Sequence, residues 1–177
     1  MAFDGVEKLP QEMMPEKPIM LKYFDQVHFM KQMYLSYENT LFRFAQLLSK
    51  HHINILLMKG YGLSLNYPKP ALRPLGDMDI YPFYDDGTSA YDEVNCIVEG
   101  LNVKVDYSHH KHSVFHLDKV MVECHHSFLN AKAHKSSAQI EKILKHRINP
   151  IPYRDNVYFP SLRFNFLYLL RHSAYSV

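Results

Sequence analysis

The chain has 177 residues, of which 47% are hydrophobic and 21% are charged, so its composition excludes a disordered protein and allows one sizeable core. Its net charge of +2 is too small to indicate a protein that binds long nucleic acid. The sequence contains neither an apolar run of roughly 18 residues nor a signal peptide, so we expect a cytoplasmic protein with no membrane partner.

The first third of the chain predicts an arm, a helix and a strand. Residues 1–18 carry three prolines and mixed charge without periodicity, which is typical of a flexible N-terminal arm. Apolar residues then recur at three- and four-residue steps from about 24 to 50, which predicts a long helix. The apolar run INILLM, 53–58, predicts a strand buried on both faces, and Gly60 predicts a turn that opens a short helix.

The middle of the chain predicts further strands. DMDIYPF, 77–83, alternates as a strand does, and a helix ending near Gly100 is expected after it. LNVKVDY, 101–107, also reads as a strand. SVFHLDKVMVECHH, 113–126, predicts a β-hairpin that turns near Asp118.

The last part of the chain predicts a helix from about 136 to 147, a short strand at 156–159 and a final helix after Pro160. The final helix is apolar on most sides, so we expect it to pair with further helices of a longer protein or with a second copy of the chain. The predicted fold is therefore α+β: one domain over residues 19–177, with a small mixed sheet flanked by helices and a long N-terminal helix.

Two aspartates in the predicted strand 77–83 indicate a metal site. Asp77 and Asp79 are two residues apart, so their carboxylates project to the same face about 6.6–6.8 Å apart along the strand. Like charges in a partly buried strand repel each other, and a divalent cation removes this penalty. Oxygen ligands of this kind suit Mg²⁺ or Mn²⁺. Glu123, an isolated acid in the hairpin, is the best candidate for a third ligand, and solvated carboxylates without a metal are the alternative.

Histidines crowd the predicted hairpin, and imidazole is a good ligand for zinc. None of these histidines has the i, i+4 helical spacing with a neighbouring acid that marks hydrolytic zinc sites. A zinc-dependent hydrolase is therefore a weaker hypothesis. We expect instead that His116 or His125 lines a cleft beside Glu123, or that these residues are hydrogen-bonded strand histidines.

The segment LLMKGYGLSLNYPKPALRPLGDMDIY, 56–81, resembles the uncharacterised nucleotidyltransferase family of the DNA polymerase beta-like superfamily. In that family an apolar strand ends in Leu-Lys-Gly, and a later Arg-Pro-x-Gly-Asp-x-Asp motif closes the segment. VMVECHH, 120–126, is similar to the family's hydrophobic-Glu-x-His strand, and His172 lies where a later helix of these proteins carries a histidine.

The resemblance implies a nucleotidyltransferase that takes a nucleoside triphosphate. Asp77, Asp79 and Glu123 would be catalytic and would hold two metal ions. The implied substrate-binding residues are Lys59, Gly60, Arg73, Gly76 and His125. The acceptor is unknown and is expected to be a small molecule, a sugar or a protein. The alternative is a catalytically inactive binding or regulatory module that keeps the fold.

Overall fold

The structure is a computed structural model that describes residues 10–130 and 135–173. Its strands are β1 (Asn54–Leu57), β2 (Met78–Phe83), β3 (His112–Leu117), β4 (Val120–His125), β5 (Ile151–Arg154) and β6 (Val157–Phe159). They form one six-stranded mixed sheet in the order β3-β4-β2-β1-β6-β5. The helices in the described part of the chain are α1 (Lys17–Ser49), α2 (Tyr61–Ser64), α3 (Tyr91–Gly100), α4 (Lys135–His146) and α5 (Leu162–Ser173). The predicted α+β class with a long N-terminal helix is confirmed.

Strand β2 has a buried face on each side of the sheet, and all six of its residues are buried. Met78 and Ile80 pack into a core with the buried stripe of α1. Tyr81 and Phe83 project to the opposite face and pack in a second core with residues of α4 and α5. Because helices cover both faces of this strand, DMDIYPF contains no charged residue other than its two aspartates.

Helix α1 is longer than its apolar periodicity predicts. It begins at Lys17, whereas its first buried residue is Met30. The side chains of Ile19 and Phe24 are exposed in the first turns. Periodicity reports the stretch of a helix that packs on a core, so it underestimates a helix whose N-terminal part lies beyond that core.

Two predictions about strands were wrong or incomplete. Residues 101–107 form no strand, and only the isolated bridge between Asp106 and Val114 joins them to the sheet. Strand β5 was not predicted because all four of its residues are exposed, so the stretch lacks the apolar alternation of a half-buried strand.

The predicted N-terminal arm falls partly on residues 1–9, which lie outside the described residues. The side chain of His172 also lies outside them. Among the helices that the structure describes, none is both long enough and apolar enough to cross a membrane.

Candidate active site

The sheet brings the three predicted acids together at one place. Strands β2 and β4 are parallel neighbours, and their register sets Asp79 directly opposite Glu123. Asp77 comes immediately before β2. One carboxylate oxygen from each of the three residues lies within 4.8 Å of the others.

Asp79 is the most deeply buried of these acids, with none of its side chain exposed. Its Oδ1 atom lies 2.7 Å from Nζ of Lys59 and 3.0 Å from Nε2 of His125. Its Oδ2 atom has no hydrogen-bond partner among the described residues. A buried carboxylate oxygen without a partner is costly, so this atom is suited to a bound cation.

Gly60 forms the turn between β1 and α2, and its backbone requires glycine. Its φ of 62° and ψ of −123° are strongly disfavoured for other residues. A Cβ atom at this position would lie 2.6 Å from the carbonyl oxygen and 2.7 Å from Oδ1 of Asp77. The turn therefore approaches the acids more closely than a residue with a side chain could.

Arg73 holds this turn from the outside. Its Nη1 atom donates a hydrogen bond of 2.8 Å to the carbonyl oxygen of Gly60. Its guanidinium also lies 5.8 Å from the ring centroid of Tyr67. The predicted substrate-binding Arg73 thus lies beside the site and contacts the glycine turn itself.

The charges of the cluster perturb one another. Burial, followed by the neighbouring charge of Asp79, raises the pKa of Asp77. A hydrogen bond from His125 is the main reason that the pKa of Glu123 lies below its ordinary value. Burial alone would lower the pKa of His125, but its hydrogen bonds to Asp79 and Glu123 outweigh burial and raise it. Burial would also lower the pKa of Lys59, but the charge of Asp79 and the hydrogen bond to it outweigh burial and raise this pKa.

The remaining predicted residues differ in their distance from the acids. His125 is fully buried, and its Nε2 atom lies 3.4 Å from Oε2 of Glu123. His116 is exposed and pairs with Met121 farther along the hairpin. Gly76 is exposed, and a Cβ atom added to it would meet nothing within 4 Å. Of the two histidines considered for the cleft, only His125 is in contact with the acids.

Sequence reasoning did not single out His112 as a member of the site. This residue lies directly across the hairpin from His125, and the two ring centroids are 4.8 Å apart. The signal was present in the sequence: counting outward from the two-residue turn that joins Leu117 to Val120 pairs His112 with His125.

The acidic cluster fits a hard divalent cation. Its donor atoms are carboxylate oxygens, which Mg²⁺ and Mn²⁺ prefer. The unpartnered Oδ2 of Asp79 supplies an oxygen that no side chain in the described part of the chain uses. Asp77, Asp79 and Glu123 are thus the residues that would hold such an ion.

A comparison with models of protein families identifies the family of this chain. The model of a family described as uncharacterised nucleotidyltransferase matches residues 1–176. The chain belongs to this family. No curated protein and no solved structure matches this chain.

The acidic cluster lies within the part of the chain that the family model matches. A cavity of about 890 Å³ lies elsewhere, between α1 and the turn of the β5–β6 hairpin, and contains none of the predicted site residues. Charged residues line this cavity, but among the described residues the groups of side chains that could hold a metal ion lie at the acidic cluster and not in this cavity.

Proposed function

We propose that this protein transfers a nucleoside monophosphate from a nucleoside triphosphate to an acceptor and releases pyrophosphate. Asp77, Asp79 and Glu123 are proposed as the ligands of two Mg²⁺ or Mn²⁺ ions. The observation that carries the proposal is the convergence of three carboxylates, one of them with a buried unpartnered oxygen, in a member of a nucleotidyltransferase family.

When bound, the metal ions lower the pKa of the acceptor group and neutralise charge on the leaving pyrophosphate. The residues of the chain orient these groups. His125 holds Asp79 through Nε2 at 3.0 Å and so fixes the direction of its carboxylate. Gly60 lets the turn lie directly against Asp77, where a Cβ atom would collide, and is proposed to bring the backbone N–H groups of the turn toward the triphosphate.

Lys59 and Arg73 are proposed to bind the triphosphate. Nζ of Lys59 lies 2.7 Å from Asp79 and 3.6 Å from Glu123, so it occupies the region where cationic charge is needed. We propose that the ammonium of Lys59 contacts phosphate oxygens when the acids hold a metal. Arg73 uses Nη1 on the carbonyl of Gly60 and has further N–H groups for phosphate. Gly76 is proposed to approach the substrate through its exposed backbone.

The acceptor is proposed to be a small molecule, a sugar or a protein that offers a hydroxyl or phosphate group. The net charge of +2 favours these over long nucleic acid. The reaction is proposed to take place in the cytoplasm.

Label transfer tests this proposal directly. The full chain is incubated with Mg²⁺, pools of each acceptor class, and triphosphates labelled at either the α- or the γ-phosphate. We expect α-label on an acceptor with release of pyrophosphate, and a loss of at least about 100-fold for Asp79→Asn because a metal ligand is removed. Asp92→Asn, an exposed change on α3, is the control and keeps full activity. Transfer of the γ-label, or full activity of Asp79→Asn, would refute the proposal.

One observation favours the catalytically inactive module as a second candidate. Nζ of Lys59 already contacts Oδ1 of Asp79, so the cluster has its own cation. In that case the protein binds a triphosphate with Mg²⁺ but releases no pyrophosphate with any acceptor.

Self-association through α5 is also proposed. Leu162, Phe166 and Leu170 recur every four residues, and their side chains are 81%, 67% and 59% exposed. Several exposed apolar side chains along one side of a helix are typical of a protein–protein interface. We expect sedimentation velocity to show that the wild type is an oligomer and that Phe166→Gln dissociates it. Arg163→Gln, on the same helix, is the control and is expected to leave the oligomer intact. A monomeric wild type would refute this proposal.

A further inference from the structure

His112 is a buried imidazole without a hydrogen bond. Its side chain is only 8% exposed. Neither of its ring nitrogens has a hydrogen-bond partner among the described residues. The ring of His109 stacks on it, with centroids 4.7 Å apart and planes inclined by 21°. Burial of two unpartnered ring nitrogens is costly, so a ligand for this ring is expected.

His125 presents its Nε2 atom toward the same place. Its Nδ1 atom lies 3.3 Å from the carbonyl oxygen of Ser127, and because a carbonyl can only accept, Nδ1 is the donor. This hydrogen bond fixes the ring, so Nε2, which lies 3.0 Å from Asp79 in this structure, would be the atom that binds a metal, since a histidine ligand usually donates its other N–H.

Nε2 of His125 faces two carboxylate oxygens, at 3.0 Å for Asp79 and 3.4 Å for Glu123. Either a second proton on this ring or a cation between the groups makes the arrangement favourable. His112 favours the cation over the second proton. A proton on His125 would leave His112 without a hydrogen-bond partner among the described residues, whereas one metal ion could bind both imidazole rings.

The distances fit one ion. Bonds of about 2.0–2.1 Å from a tetrahedral ion place its ligand atoms about 3.3 Å apart. Oε2 of Glu123 lies 3.4 Å from Nε2 of His125 and 3.8 Å from Nδ1 of His112. One donor atom from each of these three residues lies within 4.8 Å of the other two. Small rotations of the side chains therefore complete the three-ligand set.

We propose that His112, Glu123 and His125 bind Zn²⁺, in a site that shares Glu123 with the acidic cluster but uses neither Asp77 nor Asp79. Two imidazoles and one carboxylate favour Zn²⁺ over Mg²⁺, which binds imidazole poorly. Lys59 is the competing cation nearby, but its closer partner is Asp79 rather than Glu123. The inference does not depend on the proposed nucleotidyl transfer.

Cobalt titration of the full chain tests this site, since Co²⁺ replaces Zn²⁺ and absorbs visible light. The titration is run without Mg²⁺, because Mg²⁺ bound by the acids would compete for Glu123. We expect one bound Co²⁺, displaced by Zn²⁺, and a loss of affinity of at least about 100-fold for His112→Gln, since even changes outside the ligand set cost 10–100-fold. His116→Gln, on the same strand but exposed, and Asp77→Asn both keep the visible bands.

Retention of full affinity by His112→Gln, or loss of the bands in Asp77→Asn, would overturn the proposal. X-ray absorption of the wild-type Zn²⁺ complex requires no variant and covers the case in which His112→Gln does not fold. Two imidazoles in the zinc spectrum support the site, and a shell without imidazole refutes it.

Discussion

Asp77 and Asp79 are two residues apart, but the structure gives them different surroundings. Asp79 is fully buried and is contacted by Lys59 and His125. Asp77 is half-buried, and its pKa is raised by burial and by the charge of Asp79. Asp77 is therefore the acid that gains most from a neutralising cation.

This difference predicts how stability depends on pH without metal. Because the pKa of Asp77 is higher in the folded than in the unfolded chain, its contribution is favourable below its ordinary pKa and is lost as pH rises through the folded value. We expect Asp77→Asn to gain in melting temperature over wild type as pH rises from about 4 to about 7, with EDTA present. Parallel pH profiles of the two proteins would contradict this account.

Gly60 predicts the cost of a side chain at the turn. Gly60→Ala forces a disfavoured backbone and brings Cβ to 2.6 Å from the carbonyl oxygen of Asp77. We expect it to lower the free energy of unfolding by about 2–3 kcal/mol in urea titrations. Gly100→Ala is the control, because a Cβ atom there meets nothing within 4 Å. Equal stability of the two variants would show that the turn is not constrained in this way.

At the scale of elements, α4 supports the end of the strand that carries Glu123. The carboxylate of Glu141 on α4 accepts hydrogen bonds from the backbone N–H groups of Phe128 and Leu129, at 2.8–3.1 Å. These residues follow β4 closely and are buried. The helix therefore fixes the chain just after the histidine that contacts the acids.

Glu141→Ala removes this support and leaves two buried N–H groups without their acceptor. Each such group costs about 1–3 kcal/mol, so we expect the free energy of unfolding to fall by about 2–6 kcal/mol. Gln139→Ala, an exposed change in the same helix, is expected to alter it by less than about 0.5 kcal/mol. Denaturant unfolding measures both, and a small loss for Glu141→Ala would contradict the proposed support.

Elements packed on both sides were predictable from sequence, whereas exposed ones were not. INILLM and DMDIYPF produced clear strand signals because every residue of β1 and β2 is buried. The exposed β5 produced none, and α1 was recognised only from about the point where its side chains become buried. Hydrophobic periodicity measures burial, so it locates an element only where that element meets a core.

At the scale of the whole molecule, the three acids and a histidine beside Glu123 were predictable, whereas the individual contacts of the acids were not. Asp79 and Glu123 follow from local alternation within two strands. Their contacts with Lys59 and His125, and the bond from Arg73 to Gly60, depend on the strand order β4-β2-β1. That order places parallel and antiparallel neighbours side by side, and no local pattern in the chain specifies it.

The most direct test of the acidic cluster as a metal–nucleotide site, which the proposed function requires, is thermal unfolding of wild type, Asp79→Asn and the control Asp92→Asn with each nucleoside triphosphate, with and without Mg²⁺. A ligand at 100 times its Kd adds about 2.7 kcal/mol, which raises the melting temperature of a domain of this size by about 5 °C or more. We predict this rise for wild type and Asp92→Asn only when a triphosphate and Mg²⁺ are both present, and no rise for Asp79→Asn. A rise independent of Mg²⁺, or an equal rise in Asp79→Asn, would show that the acidic cluster is not a metal–nucleotide site.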